Sequence, residues 1–79
     1  MTKDQIIQTT NSFFVEKLDF DASQIYLDAE LRRDLGISSV DATAIVAFIQ
    51  KVFGCPIIMS ELKAIITMQD LYDYIEQHI

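Results

Sequence analysis

Glycine and proline are nearly missing from this sequence, at two residues and one in 79, about a third of ordinary usage. All-β sandwiches and barrels need many turns and the residues that make them, so they are disfavoured. Gly36 and Gly54 alone cannot build a glycine-rich phosphate loop. The single cysteine, Cys55, rules out an internal disulfide and reads as a packing thiol. Met1-Thr2-Lys3-Asp4-Gln5 has one basic residue and no long apolar stretch after it and does not read as an export signal, so a reducing cytoplasm is the expected location. The only histidine, His78, lies beside the end of the sequence, where fraying is expected. That leaves no positioned base for a Ser-His-Asp or Cys-His site and too few ligands for zinc. The longest apolar run, Ala44 to Ile49, is far too short to span a membrane. Positive charge is scarce too, with six Lys and Arg against twelve Asp and Glu for a net −6. Such a surface repels phosphate backbones, so nucleic acids and anionic membranes are poor partners and basic proteins better ones.

What is present is a globular composition, 51% hydrophobic and 23% charged. The length fits one domain, residues 1–79, able to bury about 60–65% of its unfolded surface around a small core. No repeat, linker or low-complexity tract divides it.

The chain reads as helices punctuated by caps. Thr2 and Gln5 have the spacing of a capping box, and Ile6, Ile7, Thr10, Phe13, Phe14 and Leu18 follow at helical period, predicting a helix over 3–18. Ser38 is a good N-cap with Asp41 at its third position, while Gly54 and Pro56 mark a stop, predicting a second helix over 39–53. That helix is apolar on nearly every side. It is therefore buried on two faces or offers one to something else. Ser60-Glu61-Leu62-Lys63 predicts a one-turn third helix. Thr67 with Asp70 caps a fourth, its apolar stripe made of Met68, Leu71, Tyr72 and Ile75. The fold class is all-α: four helices, the third very short and the first connection long.

That connection, residues 19–37, has no sustained period. Ile25, Leu27, Leu31 and Leu35 are expected to pin it to the core, and residues 28–32 to form one helical turn. Asp19, Asp21, Ser23 and Glu30 match positions 1, 3, 5 and 12 of an EF-hand loop, but Gln24 stands where glycine makes the sharp turn. A solvated acidic loop is the plainer reading, and a calcium-responsive helical protein is the rival one.

The tandem Ser38-Ser39 falls where the long loop enters the second helix. The plain reading is a cap. The chemical reading uses the free N–H groups and positive dipole end of a helix N-terminus, which favour a phosphate. With Ser38 as the cap, Ser39 is the first helical residue and points outward, and Gly36 loosens the backbone upstream.

The stretch Asp34-Leu35-Gly36-Ile37-Ser38-Ser39-Val40-Asp41 resembles the signature of the acyl carrier proteins, Asp-Leu-Gly-x-Asp-Ser-Leu at the start of the second of four helices. The similarity continues through Ile45-Val46, Ile49, Phe53, Ile57 and Ile65 to Leu71-Tyr72-Asp73-Tyr74-Ile75. The resemblance implies a four-helix carrier, not an enzyme, bearing covalent 4′-phosphopantetheine from coenzyme A on Ser39, with Gly36, Ser38, Val40 and Asp41 framing the site. It implies that acyl or aminoacyl groups ride on the arm as thioesters, sheltered among Val46, Ile49, Phe53, Ile57, Leu62, Ile65, Leu71 and Ile75. Those residues read equally well as core. The implied partners are a phosphopantetheinyl transferase and separate loading and processing enzymes of fatty-acid, polyketide or other specialised biosynthesis. A monomer is expected.

Two departures from the pattern stand out. Ser38 replaces the aspartate before the attachment serine, and so is a second candidate hydroxyl. The second helix, acidic in fatty-acid carriers, here offers Ala44, Ala47, Gln50, Lys51 and Val52. A partner reading it is expected to depend more on apolar contact than on charge, and the pathway to be a dedicated one. A carrier fold kept unmodified as an interaction module is the alternative.

Overall fold

The computed structural model describes residues 1–79 and is built from four helices. Helix α1 (Lys3–Lys17) begins where Thr2 and Gln5 close a reciprocal cap. The Gln5 N–H donates to Thr2 Oγ1 at 3.2 Å and the Thr2 N–H to Gln5 Oε1 at 2.8 Å. Its inward stripe is Ile6, Thr10 and Phe14. Helix α4 (Met68–Gln77) starts the same way, with Thr67 and Asp70 exchanging two bonds of 3.1 Å, and buries Met68, Leu71, Tyr72 and Ile75. The two helices are tied across the molecule. The Lys3 ammonium pairs with Asp73 and Glu76, and the Tyr72 hydroxyl donates to Asn11.

Helix α2 (Ser39–Phe48) does not run as regular α-helix to residue 53 as its pattern predicted. Its last turn, Ile49–Phe53, is π-helical, ending at Gly54, which takes the left-handed φ of +66° that glycine tolerates. The wider turn accompanies an aromatic seam. Phe48 stacks on Phe13 of α1 at 4.1 Å between centroids and meets Phe53, five residues on, edge-to-face at 5.6 Å. The apolar girth of α2 is now accounted for. Ile45 and Ile49 are fully buried, and Ala42, Val46, Phe48 and Phe53 pack partly against the core. Val40, Thr43, Ala47, Gln50, Lys51 and Val52 face solvent.

Helix α3 (Met59–Ala64) begins one residue earlier than predicted. Ile58 sits at its cap position and has no side-chain acceptor, so Glu61 covers the Ile58 N–H with its own carboxylate at 3.1 Å. Only Leu62 is buried in this helix.

The long connection is ordered by distant backbone. The Leu31 N–H donates to Ile66 O at 2.9 Å, Met68 N–H to Ala29 O at 3.0 Å and Gln69 N–H to Leu27 O at 3.0 Å, so the loop is stitched to the α3–α4 link and the first residues of α4. Ile25, Leu31 and Leu35 are buried as expected, but Leu27 is half exposed, because that stitch uses its backbone and leaves its side chain outside. The helical turn falls at residues 30–36, later than the 28–32 expected. Glu30 and Asp34 close it from both ends: Asp34 Oδ2 accepts from the Glu30 N–H at 2.8 Å, and Glu30 O from the Asp34 N–H at 2.9 Å. A separate short 3₁₀ turn occupies Ala22–Gln24. His78 closes the last turn of α4. Its N–H donates to Ile75 O at 3.1 Å and its ring stacks on Tyr74 at 4.0 Å.

Candidate functional site

The turn of residues 30–36 delivers the chain to the start of α2. Gly36 has φ +63° and donates its N–H to Arg32 O at 3.1 Å. Ser38 follows in extended conformation and forms a complete capping box. Its Oγ accepts from the Asp41 N–H and the Asp41 carboxylate accepts from the Ser38 N–H, both at 3.2 Å. The two serines are thereby separated in role. The Ser38 oxygen and the Asp41 charge are engaged in holding the helix end. Ser39 is the first helical residue and exposed, and its hydroxyl has no partner within the protein. The backbone N–H groups of Ser39 and Val40 have no acceptor either, as expected of a first turn. Beside them Val40 stands 79% exposed, an unusual position for an isopropyl group.

A cleft of about 260 Å³ opens in front of Ser39. The loop and α2 supply Leu31, Ile37, Ala42 and Ile45 on one side. Met59, Leu62 and Ile65 from α3 and its exit form the other. Ser38 and Ser39 lie at its α2 edge, and Arg32 and Lys63 are its two charged residues. The Arg32 guanidinium donates through Nη1 to Lys63 O at 3.1 Å, tying the loop to α3 across the cleft.

Of the eight residues named as a shelter for cargo, Leu62 and Ile65 line this cleft. Ile49, Ile57, Leu71 and Ile75 lie fully inside the closed core, and Val46 and Phe53 are partly buried against it. Four of the cleft residues not named as shelter fall into two kinds. Ala42 and Ile45 follow Ser39 at three and six positions, a helical spacing that was readable. Arg32 and Lys63 are 31 residues apart, and no local signal joins them.

Position also decides the electrostatics of the surrounding groups. Glu61 accepts from the Tyr74 hydroxyl at 2.8 Å as well as from Ile58. These bonds, the Tyr74 one first, hold its carboxyl below the usual range, while the same bond pushes the Tyr74 phenol up to about 12. Burial pushes the Cys55 thiol up, which keeps it protonated and a poor nucleophile. The acids of the 19–30 loop are not gathered around a point. Asp19 has φ +62°, Asp21 donates its N–H to the Gln24 side chain at 2.9 Å, and the Glu30 carboxylate pairs with Arg33 at 2.9 Å. No group of three or more His, Cys, Asp or Glu residues is placed to hold a metal ion. No helix is long and apolar enough to cross a membrane.

Comparison with known proteins agrees with this geometry. Residues 12–75 match the family model of the phosphopantetheine attachment site. The acyl carrier protein of Phytoplasma mali (strain AT) is 32% identical over 74 residues, covering 94% of this chain and 88% of the relative. That of Cyanidioschyzon merolae is 36% identical over 78 residues, covering 99% and 86%. That of Thermotoga maritima is 32% identical over 78 residues, covering 99% and 96%. A four-helix chain with a serine presented at the start of its second helix, matched over most of its length by these proteins, belongs to the acyl carrier protein family, whose members are carriers of covalent 4′-phosphopantetheine and not enzymes.

Proposed function

We propose that residues 1–79 form a single carrier domain in which Ser39 bears the 4′-phosphopantetheine arm, and that this chain delivers short acyl or aminoacyl groups to separate enzymes in the cytoplasm. The observation that carries the choice of serine is the division of labour at the α2 cap. The Ser38 hydroxyl is occupied by the Asp41 N–H, whereas the Ser39 hydroxyl is exposed and unpartnered next to two free backbone donors. Those donors and the positive end of the helix dipole suit a phosphodiester on Ser39.

Transfer from coenzyme A would proceed at Ser39 Oγ. An oxygen–phosphorus bond forms there, the pyrophosphate bridge of coenzyme A breaks, adenosine bisphosphate leaves and the serine proton passes to a base on the transferase. When bound, the arm supplies the terminal thiol that carries cargo, so no protein cysteine is needed. Holding the cargo on the protein raises its effective concentration near each enzyme that docks.

The chain's own residues set the terms of presentation. Exposed Val40 and the uncharged outer face of α2, with Thr43, Ala47, Gln50 and Val52, suit a partner that reads apolar surface. Lys51 is the only charge exposed along that face. Partner affinity is therefore expected to depend weakly on salt, since rim charge is what makes association salt-sensitive. That neutrality also favours a dedicated pathway over general fatty-acid synthesis. Cargo resting against Ile45, Leu62 and Ile65 fits the cleft, while a long chain would have to displace the closed residues Ile49, Leu71 and Ile75.

The test is intact mass before and after treatment with coenzyme A and a broad-specificity transferase. One arm is expected on the native chain and on Ser38→Ala, and none on Ser39→Ala. Addition to Ser39→Ala but not to Ser38→Ala would move the site. No addition with any of several transferases would favour a carrier fold kept as an unmodified interaction module.

A further inference from the structure

We infer that the cleft beside Ser39 contains an anion site for the loaded arm, with Arg32 and Lys63 as its cationic residues. The inference rests on the reading of Ser39 as the attachment residue and adds a ligand chemistry to it. Bases are outnumbered two to one in this chain, and two of the six line this one cleft. Lys3 is held by Asp73 and Glu76, and Arg33 by Glu30 and Asp34. Arg32 and Lys63 make no ion pair, and both line the cleft that Ser39 borders. Lys17 and Lys51 are also unpaired, but they lie away from it, at the end of α1 and in the π turn.

The nearby acids are already engaged. Asp34 bonds the Glu30 N–H and pairs with Arg33, Asp41 bonds the Ser38 N–H, and Glu61 bonds the Ile58 N–H and the Tyr74 hydroxyl. Two positively charged residues, both solvent-exposed, thus line a cleft whose walls are otherwise mostly apolar. Arg32 is also steadied. One guanidinium N–H is committed to Lys63 O, which leaves its other donors for an anion. The ligand that fits is an anionic oxygen on a short tether from Ser39. It has two sources. One is the phosphodiester of the arm, which is bonded to Ser39 Oγ itself. The other is a carboxylate at the far end of a short acyl group folded back along Ile45 and Leu62.

Four forms of the whole chain separate the two sources: apo, holo, and holo loaded with butyryl or with succinyl, which have the same number of carbons and differ in one carboxylate. Each form is melted, and backbone amide shifts are followed at Ile37, Ile45 and Leu62. Each is made in the native chain and in Arg32→Gln, Lys63→Gln and Arg32→Lys. If the phosphodiester is the ligand, the native holo form melts ~1–5 °C above apo, the range for one or two partly exposed charge contacts in a chain of this size. That gain falls in both glutamine variants and returns in Arg32→Lys. If a cargo carboxylate is the ligand, the gain appears between butyryl and succinyl forms, with matching amide shifts, and is lost in the same variants. Either gain shrinks with added salt. Using differences between forms of the same variant removes any change in basal stability from losing the Arg32 bond to Lys63. A native chain that takes no arm overturns the reading of Ser39 and this inference with it. A chain that takes the arm, but whose differences are the same in native and glutamine variants, overturns this inference alone.

Discussion

The contact between α1 and α4 is closed, while that between α2 and α3 stands open at Ser39, although both are built from the same aliphatic side chains. Helix α4 buries four of its ten residues, whereas α3 buries one of six. Six residues make fewer than two turns, too short for a continuous inward stripe. The closed half is joined side chain to side chain, by Lys3 to Asp73 and Glu76 and by Tyr72 to Asn11. The open half leans more on main-chain anchors, Arg32 to Lys63 O and Gln50 to Ile57 O, beside one side-chain link from α3 to α4 in which Glu61 accepts from the Tyr74 hydroxyl. A short helix held mostly by polar bonds to backbone can sit over a cleft without filling it. Helix length, not hydrophobicity, makes the difference.

The largest test of that contrast is one substitution made in both halves. Leu71 is fully buried and Leu62 is 4% exposed. Leu71→Ala leaves a cavity walled on every side and is expected to cost ~4–5 kcal/mol, while Leu62→Ala opens onto existing space and is expected to cost ~2–3 kcal/mol. For a chain of this size, whose whole stability is ~4–12 kcal/mol, the first change should remove about a third or more of it. Urea unfolding followed by circular dichroism measures both. Equal losses would erase the distinction between the halves.

A smaller effect is expected at the backbone. Gly36 beside the site and Gly54 at the end of the π turn have φ of +63° and +66°, and an added Cβ meets nothing within 4 Å at either. Gly36→Ala and Gly54→Ala should therefore each cost ~1–2 kcal/mol, from conformation and not from packing. If one costs much more than the other in the same unfolding assay, the two halves differ in rigidity as well as in filling.

The smallest effect is the pH dependence of the bonds to Glu61. Its carboxyl is held below 4.5, the ordinary value, so the stability it contributes is complete above 4.5 and is lost as pH falls through the lower folded value. The melting-temperature difference between the native chain and Glu61→Gln should thus be largest near neutral pH and shrink below 4.5. The Tyr74 end has the opposite sense. With its phenol raised from 10.0 to about 12, that contribution is present below 10.0 and fades as pH rises toward 12. A difference that stays flat across the acid range would mean that α3 is not anchored through this carboxylate.

How much was legible follows the distance between interacting groups. The Thr2, Ser38 and Thr67 caps each pair with a residue three positions on, and each formed as read. The cap of α3 was misplaced because its N-cap residue, Ile58, carries no acceptor, so the usual signature was only half present. Leu27 was misjudged because the path of an aperiodic loop is decided by backbone bonds to residues 66–69, some 40 positions away. The cargo shelter was read as eight apolar residues, and apolar identity alone could not divide the closed core from the open cleft.

By itself the sequence determined the four helices, the caps of α1, α2 and α4, the exposure of Ser39 and the acidity of the chain, since these rest on composition and on neighbours within one turn. The tertiary structure alone decided which apolar residues close and which leave a cleft, and that Arg32 and Lys63 share it. Those outcomes depend on how a short α3 and a long loop meet across 31 residues of chain, where no periodic pattern reaches.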